Sequence, residues 1–404
     1  MRIVIGLMMV VFSIGGALAA GVGFRTDGRG HYPDAAPPTQ FAPEKNVVWA
    51  APMPAWSNAC PVVVGDRIFV CAEPDRLIAV DKATGKILWT KANPLTDAVG
   101  AEKAAAVGKV KTHPHNGYTS ATPVSDGERV FAVFGNGVVA AYDLEGKRLW
   151  IRFVEKPVHQ WGHCASPVLS GGRLLVHIET LVALDPKDGS EVWRQPAEKW
   201  VNQRQKQWGS CAATRIGDVD VVVTIAGRVI RASDGEILFR DLARVQYSTP
   251  LIVDGVVYFI GAKQGSAVRL PKTVEGKPEV LWTTTTVKDR YYASPLLHDG
   301  VLYAITRRGH FSAFDAKTGT EIYQQKLLLA ATEKESNAAY ASISLAGKAL
   351  YFAGMDGSVM VVKPGRTYEE IARNRVETAL RSTPVFEGKR MYLRAPGHLY
   401  CFGK

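Results

Sequence analysis

Short apolar stretches alternate with turn residues along almost the whole chain from residue 45 onward. Most of these stretches are too short for a helix and have the length of a β-strand. They are separated by Gly-containing turns such as Asp254-Gly255 and Asp299-Gly300, which are typical of β-hairpins. The same order returns repeatedly: three apolar strands, a turn that often starts with Asp, and a fourth strand that ends in an aromatic residue. The pattern therefore predicts repeated units of four antiparallel strands.

Eight copies of this unit follow one another between Cys60 and the end of the chain. Their spacing of roughly forty-odd residues is close to the period of a four-stranded propeller blade. The first gap is longer because residues 91–117 form an insertion between units 1 and 2. Six units end in an aromatic residue, at Trp89, Trp150, Trp193, Phe239, Trp282 and Tyr323.

The eighth unit stops at Lys404, before its fourth strand. The segment from Lys45 to Ala50, which ends near Trp49, has the pattern of a fourth strand without a blade of its own. Pairing these two ends would close the ring without an open seam. We therefore expect an all-β fold: an eight-bladed β-propeller of four-stranded antiparallel blades over residues 45–404, in which the N-terminal strand completes the last blade.

Most first strands begin at a proline, which cannot donate to a β-ladder and therefore suits an edge strand. The first strand of a propeller blade is such an edge, because it lines the central channel. The prolines at this position are Pro61, Pro123, Pro167, Pro250, Pro295 and Pro384. Thr214 and Ile343 take the same place in the other two units.

The stretch DKATGKILW, Asp81 to Trp89, links the third and fourth strands of unit 1. Asp81 can accept hydrogen bonds from backbone N–H groups of the turn. Gly85 suits a left-handed backbone conformation. Trp89 offers a large apolar face that we expect to pack against the neighbouring blade. We expect the same structural role for Trp49, Trp150, Trp193 and Trp282.

Residues 1–19 have the pattern of a Sec-type signal peptide. Arg2 is followed by an almost wholly apolar run from Ile3 to Ile14, and 17–19 (ALA) has the form of a cleavage site. An uncleaved membrane anchor is the alternative. No Cys follows the apolar run, so the sequence does not predict a lipid-modified N-terminus. We expect a 20–44 extension before the propeller and a periplasmic or secreted protein that is at most peripheral to a membrane.

The net charge of +11 arises from Lys and Arg residues that are scattered along the chain. A basic surface favours anionic partners in general. Without a basic run, an exported chain is not expected to bind nucleic acid. A solvated basic surface without a specific partner explains the same charge.

Five cysteines occur without a CxxC or vicinal pair, so zinc-ribbon and thioredoxin-type sites are not expected. Cys60 and Cys71 are symmetric about the first hairpin turn and could form a disulfide, since directly opposite residues lie within disulfide range. Two buried thiols are an equal alternative. Cys164 and Cys211 occupy matching places in adjacent units and form a rival pair.

The repeat resembles the pyrroloquinoline-quinone-type propeller repeat, whose hallmark is ALD…TGK…W. The nearest copies here are IAVDKATGKILW, VALDPKDGSEVW and SAFDAKTGTEIY. The resemblance covers residues 45–404 and implies the fold rather than the activity. One branch of that superfamily holds quinone-dependent dehydrogenases, and another holds BamB-like envelope proteins, which bind no quinone and act as scaffolds.

The dehydrogenase branch implies pyrroloquinoline quinone with calcium, held by acidic and amide residues, and often a vicinal Cys pair. This chain has no adjacent cysteines, and Asp289 is the only acid immediately ahead of a first strand. Calcium prefers six to eight oxygen ligands. We therefore expect no cofactor. The BamB-like branch fits better in size, although its members are lipoproteins and this chain lacks the lipidation cysteine.

The residues just before each first strand should line the mouth of the channel. These segments are rich in aromatic and hydrogen-bonding side chains, which are the usual components of a binding site. The candidate residues are His115, Asn116, Tyr118, His159, Trp161, His163, Trp208, Arg290 and Tyr291. The alternative is that these side chains pack against one another and fill the funnel.

His113, His115, His159 and His163 could also suggest a metal site. Zinc needs three or four ligands that converge on one point. The spacing of these histidines in loop segments gives no such convergence, so no metal is expected.

The sequence therefore predicts a non-enzymatic binding or scaffolding propeller of the cell envelope, monomeric, with envelope proteins as partners. The mouth face, together with the insertion, is the expected partner surface. A quinone-dependent oxidoreductase and a carbohydrate or small-ligand binder remain the alternatives.

Overall fold

The repeated apolar stretches form eight sheets of four antiparallel strands, one of which gains a fifth strand from the N-terminal region. They are described by a computed structural model over residues 22–197, 208–329 and 338–404. The eight sheets are the blades of a β-propeller, so the predicted fold is confirmed. The signal peptide expected at residues 1–19 lies outside the described residues.

The N-terminal region contributes the first two strands, β1 (His31–Tyr32) and β2 (Val47–Pro52). Blades 1 to 4 follow in chain order. The strands of blade 1 are β3 (Val62–Val64), β4 (Arg67–Ala72), β5 (Arg76–Asp81) and β6 (Ile87–Ala92). Those of blade 2 are β7 (Val124–Ser125), β8 (Arg129–Val133), β9 (Val138–Asp143) and β10 (Arg148–Phe153). Those of blade 3 are β11 (Val168–Ser170), β12 (Arg173–His177), β13 (Leu181–Leu184) and β14 (Glu191–Gln195). Those of blade 4 are β15 (Ala212–Ile216), β16 (Val219–Val223), β17 (Val229–Arg231) and β18 (Ile237–Phe239).

Blades 5 to 8 continue the same order. The strands of blade 5 are β19 (Leu251–Val253), β20 (Val256–Ile260), β21 (Gln264–Arg269) and β22 (Glu279–Thr285). Those of blade 6 are β23 (Leu296–His298), β24 (Val301–Ile305), β25 (His310–Asp315) and β26 (Glu321–Lys326). Those of blade 7 are β27 (Ser344–Ala346), β28 (Ala349–Ala353), β29 (Ser358–Val362) and β30 (Glu370–Arg375). The last three strands, β31 (Val385–Glu387), β32 (Arg390–Arg394) and β33 (His398–Phe402), belong to blade 8.

The strand β2 completes blade 8 by pairing antiparallel with β33, with Trp49 opposite Cys401. Trp49 and Ala51 are buried together with Ile68 and Val70 of blade 1 and Tyr392 of blade 8. The N-terminal strand therefore fills the seam between the last and the first blade, as the sequence predicts.

Burial differs among the four strands of a blade. In blade 5, β20 is buried at every position, whereas β22 alternates towards exposure. Neighbouring blades cover both faces of the inner strands, so the sequences of these strands are continuously apolar. The hydrophobic core accordingly consists of clusters between adjacent blades, such as Phe69 and Leu77 of blade 1 with Val130 and Tyr142 of blade 2.

A β-bulge interrupts the fourth strand of every blade at an aliphatic residue. In blade 1 the bulge falls at Leu88, between the paired residues Ile87 and Trp89. A bulge changes the direction in which the neighbouring side chains point. The indole N–H of Trp89 donates to the carbonyl of Leu144 in blade 2 at 3.1 Å.

The same indole lies against a glycine of the next blade. A Cβ on Gly146 would come within 2.9 Å of Trp89, and one on Gly85 within 2.6 Å of Trp49. Gly85 has a φ of +75°, and Asp81 accepts from the backbone N–H of Thr84 at 2.7 Å. Equivalent contacts pair Trp150 with Gly189, Trp193 with Gly235 and Trp282 with Gly319.

The N-terminal extension crosses the end of the channel opposite the mouth. Val22 pairs with Ser125 at the far end of the first strand of blade 2. His31 then pairs with Leu345, so that β1 joins blade 7 as a fifth, parallel strand. Between these two anchors, Phe24 reaches the channel and Arg25 is buried. The sequence assigned no role to this segment.

The insertion at 91–117 contains two short helices, α1 (Leu95–Val99) and α2 (Ala101–Val107), neither of which has a buried residue. Asp97 forms an ion pair with Arg148 of blade 2 at 2.8 Å. None of the helices in the described part of the chain combines the length and apolar character required to cross a membrane.

Candidate functional site

A closed ring of hydrogen bonds joins the eight blades around the channel. One residue from each blade takes part, and we call this set the floor ring: Cys60, Thr122, Ser166, Ser210, Thr249, Ser294, Ser342 and Thr383. Each backbone N–H donates to the side chain of the next blade's member, over distances from 2.8 to 3.2 Å. The last link runs from the N–H of Thr383 to Sγ of Cys60, which closes the ring.

The floor ring explains why a Ser or Thr so often precedes the first-strand proline, a role that the sequence analysis did not assign. Its members come directly before a first-strand proline in six blades, and before Cys211 in blade 4 and Ile343 in blade 7. The place of the proline in blade 4, expected at Thr214, is therefore taken by Cys211. All eight members are buried. A buried N–H without an acceptor is costly, so a side-chain oxygen or sulfur is needed at this place in every blade.

A second layer of side chains lies two residues before the floor ring in each blade. We call it the mouth layer: Asn58, Ser120, Cys164, Trp208, Tyr247, Tyr292, Tyr340 and Arg381. The members from blades 1 to 3 are small or polar, those from blades 4 to 7 are aromatic, and blade 8 contributes Arg381. The mouth layer is therefore asymmetric, whereas the floor ring is nearly uniform.

Both layers line one cavity with a volume of about 610 Å³. This volume falls in the range of roughly 300–1,000 Å³ that is typical of ligand sites. The N-terminal Phe24 lies among the lining residues, so the extension contributes to the cavity from the side opposite the mouth.

The aromatic side of the mouth layer is held together by ring contacts. Trp208 stacks on Tyr247 with centroids 5.3 Å apart, and Tyr292 stacks on Tyr340 at 4.8 Å. Tyr247 and Tyr292 meet edge to face at 4.9 Å. The rings stabilise one another, and the 610 Å³ cavity lies beside them.

The polar side is joined by hydrogen bonds. The side-chain amide of Asn58 donates to Oγ of Ser120 at 2.8 Å and to the carbonyl of His115 at 2.9 Å. The amide of Asn116 donates to the carbonyl of Trp161 at 2.7 Å. These bonds tie the end of the insertion to blades 1 and 3, and so bring it to the mouth.

Six of the nine residues predicted for the mouth line the cavity. They are His115, Asn116, His159, Trp161, Trp208 and Arg290. Of the eight members of the mouth layer, the sequence prediction included only Trp208. The seven others that line the cavity are Asn58, Ser120, Cys164, Tyr247, Tyr292, Tyr340 and Arg381. An offset of two residues before the Ser or Thr of a Ser-Pro or Thr-Pro pair identifies five of these seven. Asn58 precedes Cys60-Pro61 and Tyr340 precedes Ser342-Ile343 at the same offset.

The structure places the other three predicted residues elsewhere. Tyr291 is buried in the core between blades 5 and 6, and its neighbour Tyr292 lines the cavity instead. A shift of one residue in an extended segment turns the side chain to the opposite face. The hydroxyl of Tyr118 donates to the carbonyl of Val110 at 2.7 Å, within the insertion.

His163 is also buried, at 5% exposure, and is absent from the described lining. Burial lowers its pKa to about 3, with the nearby His177 adding a smaller effect in the same direction. The imidazole is therefore neutral at pH 7. Within the described ranges no group of three or more His, Cys, Asp or Glu residues could hold a metal ion.

The disulfide suggested for Cys60 and Cys71 is not formed, since all five cysteines are free thiols. Cys60 Sγ is engaged in the floor ring, whereas Cys71 lies in the core between blades 1 and 2. The rival pair is separate too, because Cys164 Sγ donates to the carbonyl of Trp208 at 3.3 Å and Cys211 Sγ lies 3.9 Å from Nδ1 of His177.

Asp289, the acid ahead of a first strand, serves a structural role. Its carboxylate accepts from Nε of Arg307 at 2.8 Å and from the N–H of Arg308 at 3.1 Å. Its pKa is lowered by the hydrogen bonds from Arg307 and the backbone, which outweigh the opposing effect of burial. It is not among the described residues that line the cavity.

The described lining does not fit a calcium-bound quinone. Calcium sites are built from carboxylate, carbonyl and water oxygens. The lining residues of the described chain carry hydroxyl, amide, thiol, imidazole, guanidinium and aromatic groups, and none is Asp or Glu.

Comparison with known proteins agrees with the repeat and the fold. The family model described as outer membrane protein assembly factor BamB matches residues 40–132 and 177–402. A relative from Moranella endobia (strain PCIT), an outer membrane protein assembly factor BamB, is 25% identical over 361 residues, which cover 84% of this chain and 83% of that protein.

Solved structures show the same fold at low identity. BamB from Moraxella catarrhalis aligns with a TM-score of 0.61 and 14% identity over 89% of this chain and 99% of that chain. Quinohemoprotein alcohol dehydrogenase from Comamonas testosteroni aligns with a TM-score of 0.63 and 12% identity over 88% of this chain and 76% of that chain. The fold is thus shared by a BamB protein and a dehydrogenase, whereas the family match covers most of this sequence. The chain belongs to the family of the outer membrane protein assembly factor BamB, whose fold is a propeller of pyrroloquinoline-quinone-type repeats.

Proposed function

We propose that this protein is a non-enzymatic scaffold of the cell envelope, located in the periplasm or secreted, that binds envelope proteins through its mouth face. The family match over residues 40–132 and 177–402 is the observation that carries this proposal. The relative from Moranella endobia bears the name of an outer membrane protein assembly factor, which supports an envelope location and envelope partners.

The two ends of the propeller support a role for the mouth face in particular. The far end carries short hairpin turns and the N-terminal extension, which occupies the channel there. The mouth end carries the insertion, whose helices α1 and α2 have no buried residues. It also carries the open asymmetric mouth layer, which offers aromatic and Arg side chains of the kinds enriched at protein interfaces.

The chemistry of the mouth supports a non-enzymatic role over a quinone-dependent one. The described lining provides no carboxylate for calcium, and the carboxylate of Asp289 forms an ion pair with Arg307. The proposal accordingly includes no cofactor.

Photo-crosslinking in intact cells tests this proposal. A photo-reactive amino acid at Trp161 or Lys103 would report contacts of the mouth cavity and of α2. The same residue at Asp66, in the hairpin turn between β3 and β4 at the other end of the propeller, is the matched control. We expect adducts with envelope proteins from the two mouth positions and a different or empty pattern from Asp66. Equal adducts from all three positions, or none from the mouth, would contradict the proposal.

A further inference from the structure

The described lining of the mouth cavity is cationic. It includes the guanidinium groups of Arg290 and Arg381, and no Asp or Glu. A concave site with one sign of charge raises the local concentration of ligands of the opposite sign. The charge of the described lining therefore favours an anion.

The floor ring makes the base of the cavity rich in donors. Seven of its eight members carry a hydroxyl group, and the oxygen of each already accepts an N–H from the neighbouring blade. A hydroxyl group has one proton to donate and two lone pairs. With one lone pair used in the ring, the O–H proton is what each hydroxyl can offer to an oxygen atom in the cavity.

A buried cation lies beneath this base. Arg25 is 1% exposed, and its Nη2 donates at 2.8 Å to the carbonyl of Ile343, the residue directly after floor-ring member Ser342. Its Nε has no hydrogen-bond partner among the described residues. A buried charge is costly unless an opposite charge lies near it. Asp27 acts on the Arg25 guanidinium as one such charge, and an anion above the floor would stabilise it further.

Arg290 is one of the two arginines of the described lining that can meet such a ligand. Its Nη1 donates to the hydroxyl of Tyr292 at 3.2 Å, and its guanidinium lies 5.7 Å from the ring centroid of Tyr247. These contacts hold the side chain at the cavity wall and leave other N–H groups of the planar fork. A guanidinium fork matches the two oxygens of a carboxylate or phosphate.

We propose that this cavity binds a small ligand carrying a carboxylate or phosphate group, which lies above the hydroxyl floor and pairs with Arg290. The volume of about 610 Å³ suits a ligand of small-molecule size. Phe24 lies in the lining from the opposite end, so the ligand enters and leaves through the mouth. The site lies within the mouth face that is proposed to bind envelope proteins, but the purified chain should bind the small ligand without a protein partner.

Calorimetric titration of the exported protein tests this site with four probes. Succinate and glycerol 3-phosphate carry the two anionic groups, and succinamide and glycerol are their neutral counterparts. We expect at least one anion to bind, with affinity that falls as salt rises, and the neutral probes to produce no heat of binding. Quenching of tryptophan fluorescence should accompany binding, since Trp161 and Trp208 line the cavity. The anion that binds more tightly identifies the group for which the site is built.

Two variants assign the binding to the cavity. Arg290→Met should weaken the binding of the anion by about tenfold or more, as expected for a lost charge-assisted hydrogen bond. Arg366→Met, which removes an exposed arginine paired with Asp315, should leave the affinity nearly unchanged. If Arg290→Met does not fold, Tyr292→Phe removes only the hydroxyl that holds the guanidinium and should weaken binding by about twofold to tenfold.

Binding of neither anion, equal binding of the neutral probes, or equal losses in the Arg290 and Arg366 variants would overturn the proposal. Loss of anion binding with unchanged crosslinks from Lys103 would leave the scaffold role intact, so the two proposals can fail separately.

Discussion

The floor ring and the mouth layer lie two residues apart in every blade, yet they follow opposite rules. The floor ring repeats one kind of group, a hydroxyl or in one case a thiol, because each backbone N–H needs an acceptor from the next blade. The mouth layer changes from Asn58 through Tyr292 to Arg381 around the same circle. The comparison indicates that blade-to-blade contacts constrain the first set and leave the second free to serve binding.

The contacts between Trp and Gly at the outer part of the blades resemble the floor ring in their structural role. They also repeat from blade to blade and join neighbours, here through an indole that covers a left-handed glycine. Substitutions in these repeated contacts should therefore lower stability, whereas substitutions in the mouth layer should chiefly alter binding.

Gly85→Ala should have the largest effect on stability. The new Cβ would lie 2.6 Å from the Trp49 ring, at a φ of +75°. The left-handed backbone costs about 1–2 kcal/mol and overpacking about 1–3 kcal/mol more, so we expect a loss of about 3 kcal/mol in the free energy of unfolding by urea.

Gly65→Ala is the control for this prediction. Gly65 also has a positive φ, +58°, but a Cβ there would meet no atom within 4 Å. Only the backbone cost of about 1–2 kcal/mol should remain. Equal losses for the two variants would show that the contact between Trp49 and Gly85 does not stabilise the closing seam.

Thr383→Val tests the floor ring with little change in shape. It removes the acceptor for the N–H of Ser342 and leaves that buried group unsatisfied, which should cost about 1–3 kcal/mol. Thr383→Ser keeps the oxygen and should recover most of the loss in the same urea titration. A serine variant as unstable as the valine variant would point to lost packing instead of the hydrogen bond.

His163 tests whether a residue from a mouth segment can behave as part of the core. Its pKa is lowered to about 3 by burial, whereas an unfolded histidine titrates near 6.5. The unfolded chain therefore binds one more proton between these values, and stability falls as pH drops from about 6.5 towards 3. The contribution is about 1.4 kcal/mol per pH unit.

Replacing His163 by Gln should remove that part of the pH dependence, which melting curves between pH 7 and 5 can measure. An unchanged slope would mean that the imidazole is solvated and belongs to the mouth after all.

Cys60→Ser should have the smallest effect of the set. It makes the floor ring uniform by replacing the thiol that accepts from Thr383 with a hydroxyl, a stronger acceptor. We expect a change in the free energy of unfolding of less than about 1 kcal/mol, in the stabilising direction. A large loss would show that the ring needs sulfur at this position for its size.

The fold could be predicted because its determinants are local and repeated. The turns around Gly85 and the closing strand at Trp49 can be recognised in short segments, and eight copies reinforce one another. The bulge at Leu88 could not be predicted, because it is a feature of strand register and no particular residue encodes it.

The site could be predicted only in part. Which side chains point into the cavity depends on the exact residue offset within each extended segment, and the repeat pattern does not show that offset directly. Tyr291 and Tyr292 are identical in chemistry, and only their positions relative to Ser294 decide which one lines the cavity. The role of Phe24 and Arg25 depends on a crossing of the channel between distant blades, for which no local pattern exists.

The most direct test of the comparison is the urea unfolding of two single variants from blade 6, Ser294→Ala and Tyr292→Phe. The first removes the acceptor for the buried N–H of Thr249, and the second removes a hydroxyl at the exposed mouth. The comparison predicts that Ser294→Ala is less stable than Tyr292→Phe by at least about 1 kcal/mol. Equal stability of the two variants, or a greater loss for Tyr292→Phe, would contradict the assignment of stability to the floor ring and of binding to the mouth layer.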